Sequence, residues 1–236
     1  MANRLIPLAV PLAAGLCLVV AGCAPTTAGT AMPAPPIPPA TADTLPSLLL
    51  SADDVGAALG ATEIVVSNEV SAPWNDAAHF QSAAQSGCLA IAGAAQKTVY
   101  ADTGWTAIHG QVLREAPTAR QWSHFATQAV TLFGDAAAAA GFIDAQSISW
   151  AGCSNRELRY AQPMMPDQVW AVGPTRAEHD MLTVSREQTG PQHWFCQRAL
   201  AVHASVGVDV EACSLDGPTS AAAEIARKIG DRLPAA

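Results

Sequence analysis

The chain has 236 residues, half of them hydrophobic, and a formal net charge of −8 at pH 7 from 20 acidic and 12 basic side chains. Such a chain lacks the clustered Lys and Arg side chains that neutralise phosphates. Its composition therefore argues against nucleic acid as a partner and against electrostatic binding to anionic lipids. Its length suffices to bury the core of one domain of ordinary size.

The first residues have the features of a bacterial lipoprotein signal peptide. One basic residue, Arg4, precedes an apolar run over residues 5–20, and this run ends in the lipobox Val-Ala-Gly-Cys at residues 20–23. The small residues allow cleavage by a signal peptidase. The thiol of Cys23 is the group that receives a diacylglycerol, and palmitate is the expected acyl group. The run is too short for a membrane span of about 20 residues and no basic residues follow it. We therefore expect residues 1–22 to be removed and Cys23 to anchor the protein to the outer face of the cell membrane.

A tether is predicted to follow the lipidated cysteine. Residues 24–44 are mainly Ala, Thr and Pro, a composition that cannot bury a core and favours extended, polyproline-like chain. The predicted organisation is thus a signal peptide at 1–22, a lipidated tether at 23–44 and one globular domain at 45–236.

The domain begins with a capped helix and a strand. Ser51 can cap a helix whose end is marked by Gly60, and β-branched residues predict a strand over residues 62–70. Alternation predicts a second strand over residues 105–114.

Two central helices are predicted next. In the first, from about Thr118, the residues Trp122, Phe125, Ala129 and Phe133 recur at helical spacing. In the second, Asp135 caps an alanine run that ends near residue 142.

The second half of the domain is predicted to be mainly strands. Short strand candidates occur at residues 147–150, 157–160, 169–172 and 181–186, and a final helix begins after Thr219 or Ser220. The fold class predicted from this order is α+β: a single domain with a mainly antiparallel sheet packed with helices, rather than alternating βαβ units.

The cysteines predict two disulfides. Cys17 leaves with the signal peptide and Cys23 is lipidated, so an even number remains in an exported protein. The remaining cysteines are Cys88, Cys153, Cys196 and Cys213. No Cys-x-x-Cys motif and no histidine pair beside a cysteine occurs, so no metal site is predicted.

The segment from Cys196 to Cys213 is predicted to form a β-hairpin. A two-residue turn at Ala204-Ser205 places these two cysteines opposite each other, at a separation that permits a disulfide. Cys88 then pairs with Cys153 by elimination. Ala-Ser is not a favoured pair for such a turn, and a longer turn would shift the register.

Several motifs carry a family resemblance. They are Trp150-x-x-Cys153, Trp170-Ala-Val-Gly173, Cys196-x-Arg198-Ala-Leu-Ala201 and Val206-x-Val208-Asp-Val210-x-x-Cys213. On these motifs the chain resembles the PknH-like extracellular sensor domain family over about residues 45–233. The resemblance implies a compact α/β domain with two disulfides and a surface cleft for an unidentified ligand. Relatives of this kind lie outside a transmembrane serine/threonine kinase or are free lipoproteins, and this sequence contains no kinase motifs.

One face of the predicted hairpin supplies candidate ligand-binding residues. Arg198 lies opposite Glu211 and diagonally from Asp209, and Leu200 shares their face together with Gly207. We expect this face to line the cleft; the alternative is a cross-strand ion pair, exposed or buried. Trp74, in a polar loop, is a further candidate as an exposed ring that a ligand could stack on.

No catalytic residues and no cofactor are predicted. A nucleophile needs a base within hydrogen-bond reach, and no Gly-x-Ser-x-Gly or comparable motif occurs. The function predicted from sequence is therefore a cell-envelope lipoprotein with a sensor-like domain that binds a small molecule or an envelope protein. The alternatives are an envelope hydrolase and a structural or protein-interaction module.

Overall fold

The structure is a computed structural model that describes residues 38–75, 87–119, 122–160, 167–178 and 180–234. The predicted signal peptide, the lipidation site Cys23 and most of the tether lie outside these residues. Within the described part of the chain, no helix is long and apolar enough to cross a membrane.

Six α-helices and nine β-strands occur in the described residues. The helices are α1 (Leu45–Leu48), α2 (Ala52–Leu59), α3 (Leu89–Ala92), α4 (Lys97–Tyr100), α5 (Ala136–Cys153) and α6 (Ala221–Gly230). The strands are β1 (Ile64–Val70), β2 (Trp105–Glu115), β3 (His124–Phe133), β4 (Glu157–Tyr160), β5 (Gln168–Val172), β6 (Arg176–Glu178), β7 (Met181–Thr189), β8 (Phe195–His203) and β9 (Val206–Ser214).

The strands form one antiparallel sheet. Their order is β1-β2-β3-β9-β8-β7-β5-β4, and β6 pairs with β7. Because β8 lies on one side of β7, both β5 and β6 pair with its other side. The predicted class, an antiparallel α+β domain, is confirmed.

Helices cover both faces of this sheet. On one face, α1, α2 and α6 pack against the sheet in an apolar core that includes Val208, Val210 and Ile225. On the other face, α3, α4 and α5 enclose a second core with Trp150 and Leu200, and both disulfides lie in this core. An antiparallel sheet often leaves one face to solvent, whereas here the central strands are buried on both sides.

Two local predictions are confirmed. Ser51 caps α2 by accepting a hydrogen bond from the Asp54 backbone N–H at 3.1 Å, and Gly60 ends the helix with a φ of 71°. The hairpin of β8 and β9 has the predicted register, with Cys196 opposite Cys213 and His203 opposite Val206 around a two-residue turn. The first turn residue, Ala204, adopts a positive φ of 51°.

Both disulfides have the predicted pairing. Cys196 and Cys213 are joined across the hairpin with their Cα atoms 4.0 Å apart. Cys88 and Cys153 are joined over a Cα separation of 5.7 Å and tie α3 to the end of α5.

The first predicted central helix is wrong. The segment from His124 to Phe133 is the strand β3, at the centre of the sheet. Because both of its faces are covered, nearly all of its residues are buried and the period-two alternation of a half-exposed strand is lost. The spacing of its aromatic residues then resembles that of a helix.

The second central helix begins where predicted but continues much further. Asp135 caps α5 by accepting from the Ala138 N–H at 2.8 Å. The helix then runs to Cys153, so the strand predicted at residues 147–150 is wrong. Its buried residues Phe142, Gln146, Trp150 and Cys153 recur three and four positions apart, which places them on one helix face. Within the segment predicted as the tether, Ala42–Thr44 forms a 3-10 turn.

Candidate functional site

The sheet register places five residues in one row across five strands. Arg114 of β2 pairs with Phe125 of β3, which pairs with Cys213 of β9. Cys213 pairs with Cys196 of β8, which pairs with Arg186 of β7. Four strand spacings separate the two arginine backbones by about 19 Å. Phe125 and the disulfide therefore form a floor with an arginine at each end.

A cavity of about 520 Å³ lies over this row. Five aromatic side chains line it: Trp122, Phe125, Tyr160, Trp170 and Trp194. The other lining residues are Ala92, Val112, Arg114, Gln168, Arg186, Cys196 and Glu211. The volume falls in the range of sites for small ligands, and mostly apolar walls with a few polar groups are typical of such sites.

The guanidinium of Arg186 is held at one end of the cavity by several acceptors. Its Nη1 donates to the hydroxyl of Tyr160 at 2.6 Å and to the carbonyl of Ala92 at 3.0 Å, and its Nη2 donates to Glu211. The ring of Trp170 lies 4.9 Å from its Cζ. These contacts fix both the guanidinium and the aromatic wall beside it.

The electrostatics of this end keep Arg186 charged and Tyr160 neutral. Burial alone would lower the pKa of Arg186, but Tyr160 and Glu211 outweigh burial and the pKa is raised. Burial is the main reason that the pKa of Tyr160 is also raised, although Arg186 opposes the shift. Because the charges of Arg186 and Glu211 are opposite, this ion pair carries no net charge.

Arg198 forms a second ion pair, outside the cavity lining. It is 1% exposed, pairs with Asp209 and lies with its Cζ 5.4 Å from the ring of Trp150 in α5. Asp209 also accepts from the Ala95 N–H at 2.8 Å and from the Tyr100 hydroxyl at 3.1 Å. Burial, followed by the charge of Asp209, raises the pKa of Tyr100 well above its ordinary value, so its hydroxyl stays a donor.

The predicted hairpin candidates thus separate into two groups. Glu211 lines the cavity, whereas Arg198, Leu200 and Asp209 are buried in the core and do not line it. Arg198 pairs with its diagonal neighbour Asp209 rather than with Glu211 directly opposite, because Arg186 from the next strand engages Glu211. Of the alternatives considered for this face, the buried ion pair is the one observed.

Trp74 is a packing residue rather than an exposed ring. It is half-buried against the core, and its Nε1 is buried. Its ring fills a notch left by Gly110, where a Cβ atom would lie 2.5 Å from the Trp74 Cη2. Trp74 is not among the residues lining the 520 Å³ cavity.

Sequence reasoning missed most of the cavity walls. Arg114, Trp122, Trp170, Trp194 and Arg186 were not predicted as site residues. Arg114 and Arg186 belong to the cross-strand row, and that row is visible only when β3 is recognised as the strand between β2 and β9.

His124 and Asp216 line a separate polar depression of about 280 Å³. The Nδ1 of His124 lies 2.9 Å from Glu115, and its Nε2 lies 3.2 Å from Asp216. Ser214 lines the same depression, but both ring nitrogens face carboxylates and neither is left to act as a base toward a serine. Burial alone would raise the pKa of Glu115, but its hydrogen bonds with the His124 ring and with backbone N–H groups lower it. This cluster joins β2, β3 and the segment after β9.

One group of possible metal ligands was found in the described residues. It consists of Cys196, Cys213 and Glu211. The two sulfurs are joined in a disulfide and are therefore not thiolate ligands, and Glu211 is engaged by Arg186.

Comparisons with known proteins agree on one family. The model of the PknH-like extracellular domain matches residues 40–232. The serine/threonine-protein kinase PknH of Mycobacterium bovis is 28% identical over 228 residues, which are 94% of this chain and 37% of that protein. The Mycobacterium tuberculosis kinase of the same name is 28% identical over 201 residues, covering 85% of this chain and 31% of the kinase. The chain thus spans about a third of the length of these relatives.

A solved structure shares the fold. The crystal structure of the extracellular domain of PknH from M. tuberculosis superposes with a TM-score of 0.72 at 27% identity, covering 83% of this chain and 97% of that one. The similarity therefore lies in the extracellular part of those kinases and not in a kinase domain.

Proposed function

This chain belongs to the PknH-like extracellular domain family, and we propose that its domain binds a small ligand in the tryptophan-walled cavity and catalyses no reaction itself. The observation that carries the proposal is the cavity of about 520 Å³, in which five aromatic side chains surround a buried Arg186–Glu211 pair. Such a site offers a ligand apolar stacking surfaces and fixed polar groups.

Attachment to the outer face of the cell membrane through Cys23 is part of this proposal. It is supported by the lipobox at residues 20–23 and by the Pro-rich segment that follows it. A lipid anchor would hold the domain outside the membrane, where disulfides persist. The partners we propose are therefore the membrane, through the lipid, and a small molecule or protein of the envelope.

The test uses residues 36–236 as a soluble protein. The described helices and strands, both cores and both disulfides lie within these residues, and the corresponding domain of the M. tuberculosis relative was crystallised as a separate chain. The neutral fluorophore N-phenyl-1-naphthylamine serves as the probe, because its emission rises when it enters an apolar site. We expect saturable binding of one probe per domain.

A matched pair of variants locates the probe. Trp122 is 42% exposed, so Trp122→Ala removes a cavity wall without opening a core, and it should weaken binding by about fivefold or more. Ile148 is 77% exposed on α5 and does not line the cavity, so Ile148→Ala should leave binding unchanged. Absence of saturable binding, or equal affinities for the two variants, would refute the proposed function.

A further inference from the structure

Arg114 is the one cation in the cavity wall that lacks an anionic partner within the described residues. Its guanidinium stacks on Trp122, with its Cζ 3.6 Å from the ring centroid. Its Nε is buried and has no hydrogen-bond partner in the described chain. Its cross-strand neighbours are Val65 of β1 and Phe125 of β3, and neither offers an acceptor side chain.

The other charges of the cavity cancel. Arg186 and Glu211 form a buried ion pair, so Arg114 leaves a charge of about +1 on the described lining. This local charge is opposite in sign to the chain as a whole, which carries −8. In a site whose walls are largely aromatic, an uncompensated guanidinium attracts an anion more strongly than it would in open solvent.

From this arrangement we infer that the ligand is an organic anion, with an acidic group that pairs with Arg114 and a flat, ring-containing apolar part that stacks on the tryptophan walls. The inference rests on the proposed function of the cavity and names the chemical class of its ligand. The guanidinium can donate two parallel hydrogen bonds to a carboxylate, sulfonate or phosphate group.

The geometry also assigns an orientation to this ligand. Arg114 and Trp122 stand at the β2 end of the row, and the floor of Phe125 and the disulfide runs from there toward Trp170 and Arg186. The acidic group therefore lies at the β2 end, and the apolar part extends over the floor toward β7.

A second cavity extends the site beyond this row. It measures about 340 Å³ and shares Trp122 and Trp194 with the first. A ligand longer than the first cavity can therefore continue past these two rings without losing aromatic contact.

Two probes with the same ring system test the inference on the soluble domain. They are 1-anilinonaphthalene-8-sulfonate, which carries one sulfonate, and N-phenyl-1-naphthylamine, which is neutral. We expect the wild-type domain to bind the sulfonate about tenfold more tightly. Because the preference is electrostatic, it should shrink as the salt concentration rises from about 50 to 500 mM.

Variants assign the preference to Arg114. Arg114→Gln should weaken sulfonate binding about tenfold and neutral-probe binding less than about threefold, so that the preference disappears. Arg114→Lys keeps the charge and should retain part of the preference. Arg176→Gln removes an exposed arginine of β6 that does not line the cavity, and it should change neither affinity.

The outcomes separate the inference from the function on which it rests. Equal wild-type affinities for the two probes, a preference insensitive to salt, or an equal loss for both probes in Arg114→Gln would overturn the inference and leave the cavity as a neutral binding site. Failure of the neutral probe to bind at all would instead overturn the proposed function. The wild-type preference and its salt dependence remain decisive even if an arginine variant does not fold.

Discussion

Removing one partner of the Arg198–Asp209 pair should strongly destabilise the domain. In Arg198→Met, a side chain that is 1% exposed is replaced by an apolar one of similar length. Asp209 is then left as a buried carboxylate with two neutral donors, the Ala95 N–H and the Tyr100 hydroxyl. Breaking a buried pair in this way costs about 3–5 kcal/mol, a large part of the 5–15 kcal/mol that stabilises a typical domain.

A double-mutant cycle measured by urea unfolding under non-reducing conditions isolates the charge interaction. Asp209→Asn keeps an acceptor for both donors but leaves the guanidinium uncompensated, so it should also cost about 3–5 kcal/mol. The double variant buries no charge at this position. Its loss of unfolding free energy should be smaller than the sum of the two single-variant losses by about 2–3 kcal/mol. Arg159→Met is the control, because Arg159 pairs with Glu157 on the surface and its loss should cost about 0–1 kcal/mol. An additive cycle, or a cost below about 1 kcal/mol for Arg198→Met, would refute the reasoning.

Three further predictions concern the disulfides, pH and the anchor. Replacing both Cys88 and Cys153 by Ser should lower the free energy of unfolding by about 4 kcal/mol on the loop-entropy model, since this disulfide closes a separation of 65 residues; an unchanged urea midpoint would contradict it. Because the folded-state pKa of Glu115 is lowered, its contribution to stability is present above the ordinary value of 4.5 and is lost as the pH falls through the folded pKa. Glu115→Gln should therefore flatten the acid side of the stability profile, and an unchanged acid limb would count against this account. Cys23→Ala should abolish partitioning of the protein into detergent, and a mutant that partitions like the parent would rule out the lipid anchor.

Local signals in the sequence were sufficient for the caps and the hairpin. Ser51 and Gly60 bound α2 through interactions within a few residues, and the spacing of Cys196 and Cys213 sets a register that needs no distant element. The strand β3 gave no such signal, because burial on both faces removes its alternation.

The missed strand explains why the cavity was not predicted. β3 is the link between β2 and β9, and without it nothing in the sequence relates Arg114 to Cys213. The ion pair between Arg186 and Glu211 likewise requires β7 to pair with β8, and no local sequence pattern specifies that pairing. The hairpin register predicts Arg198 opposite Glu211, whereas the ion-pair partner of Glu211 is Arg186 from the neighbouring strand.

The two faces of the sheet differ in the interactions that hold them to their helices, and the 520 Å³ cavity lies on the face that carries the ion pairs and the disulfides. The face under α1, α2 and α6 is mainly apolar, with the buried Gln128 amide hydrogen-bonded to the Leu50 backbone as an exception. Apolar contacts are non-directional, so side chains on this face can close around a void. On the other face, two ion pairs and two disulfides fix distances and directions between strands and helices. A buried ion pair adds little stability over a well-packed apolar pair. We therefore infer that the Arg186–Glu211 pair serves to hold Tyr160 and Trp170 in place around an open site, which an apolar core at this position would fill.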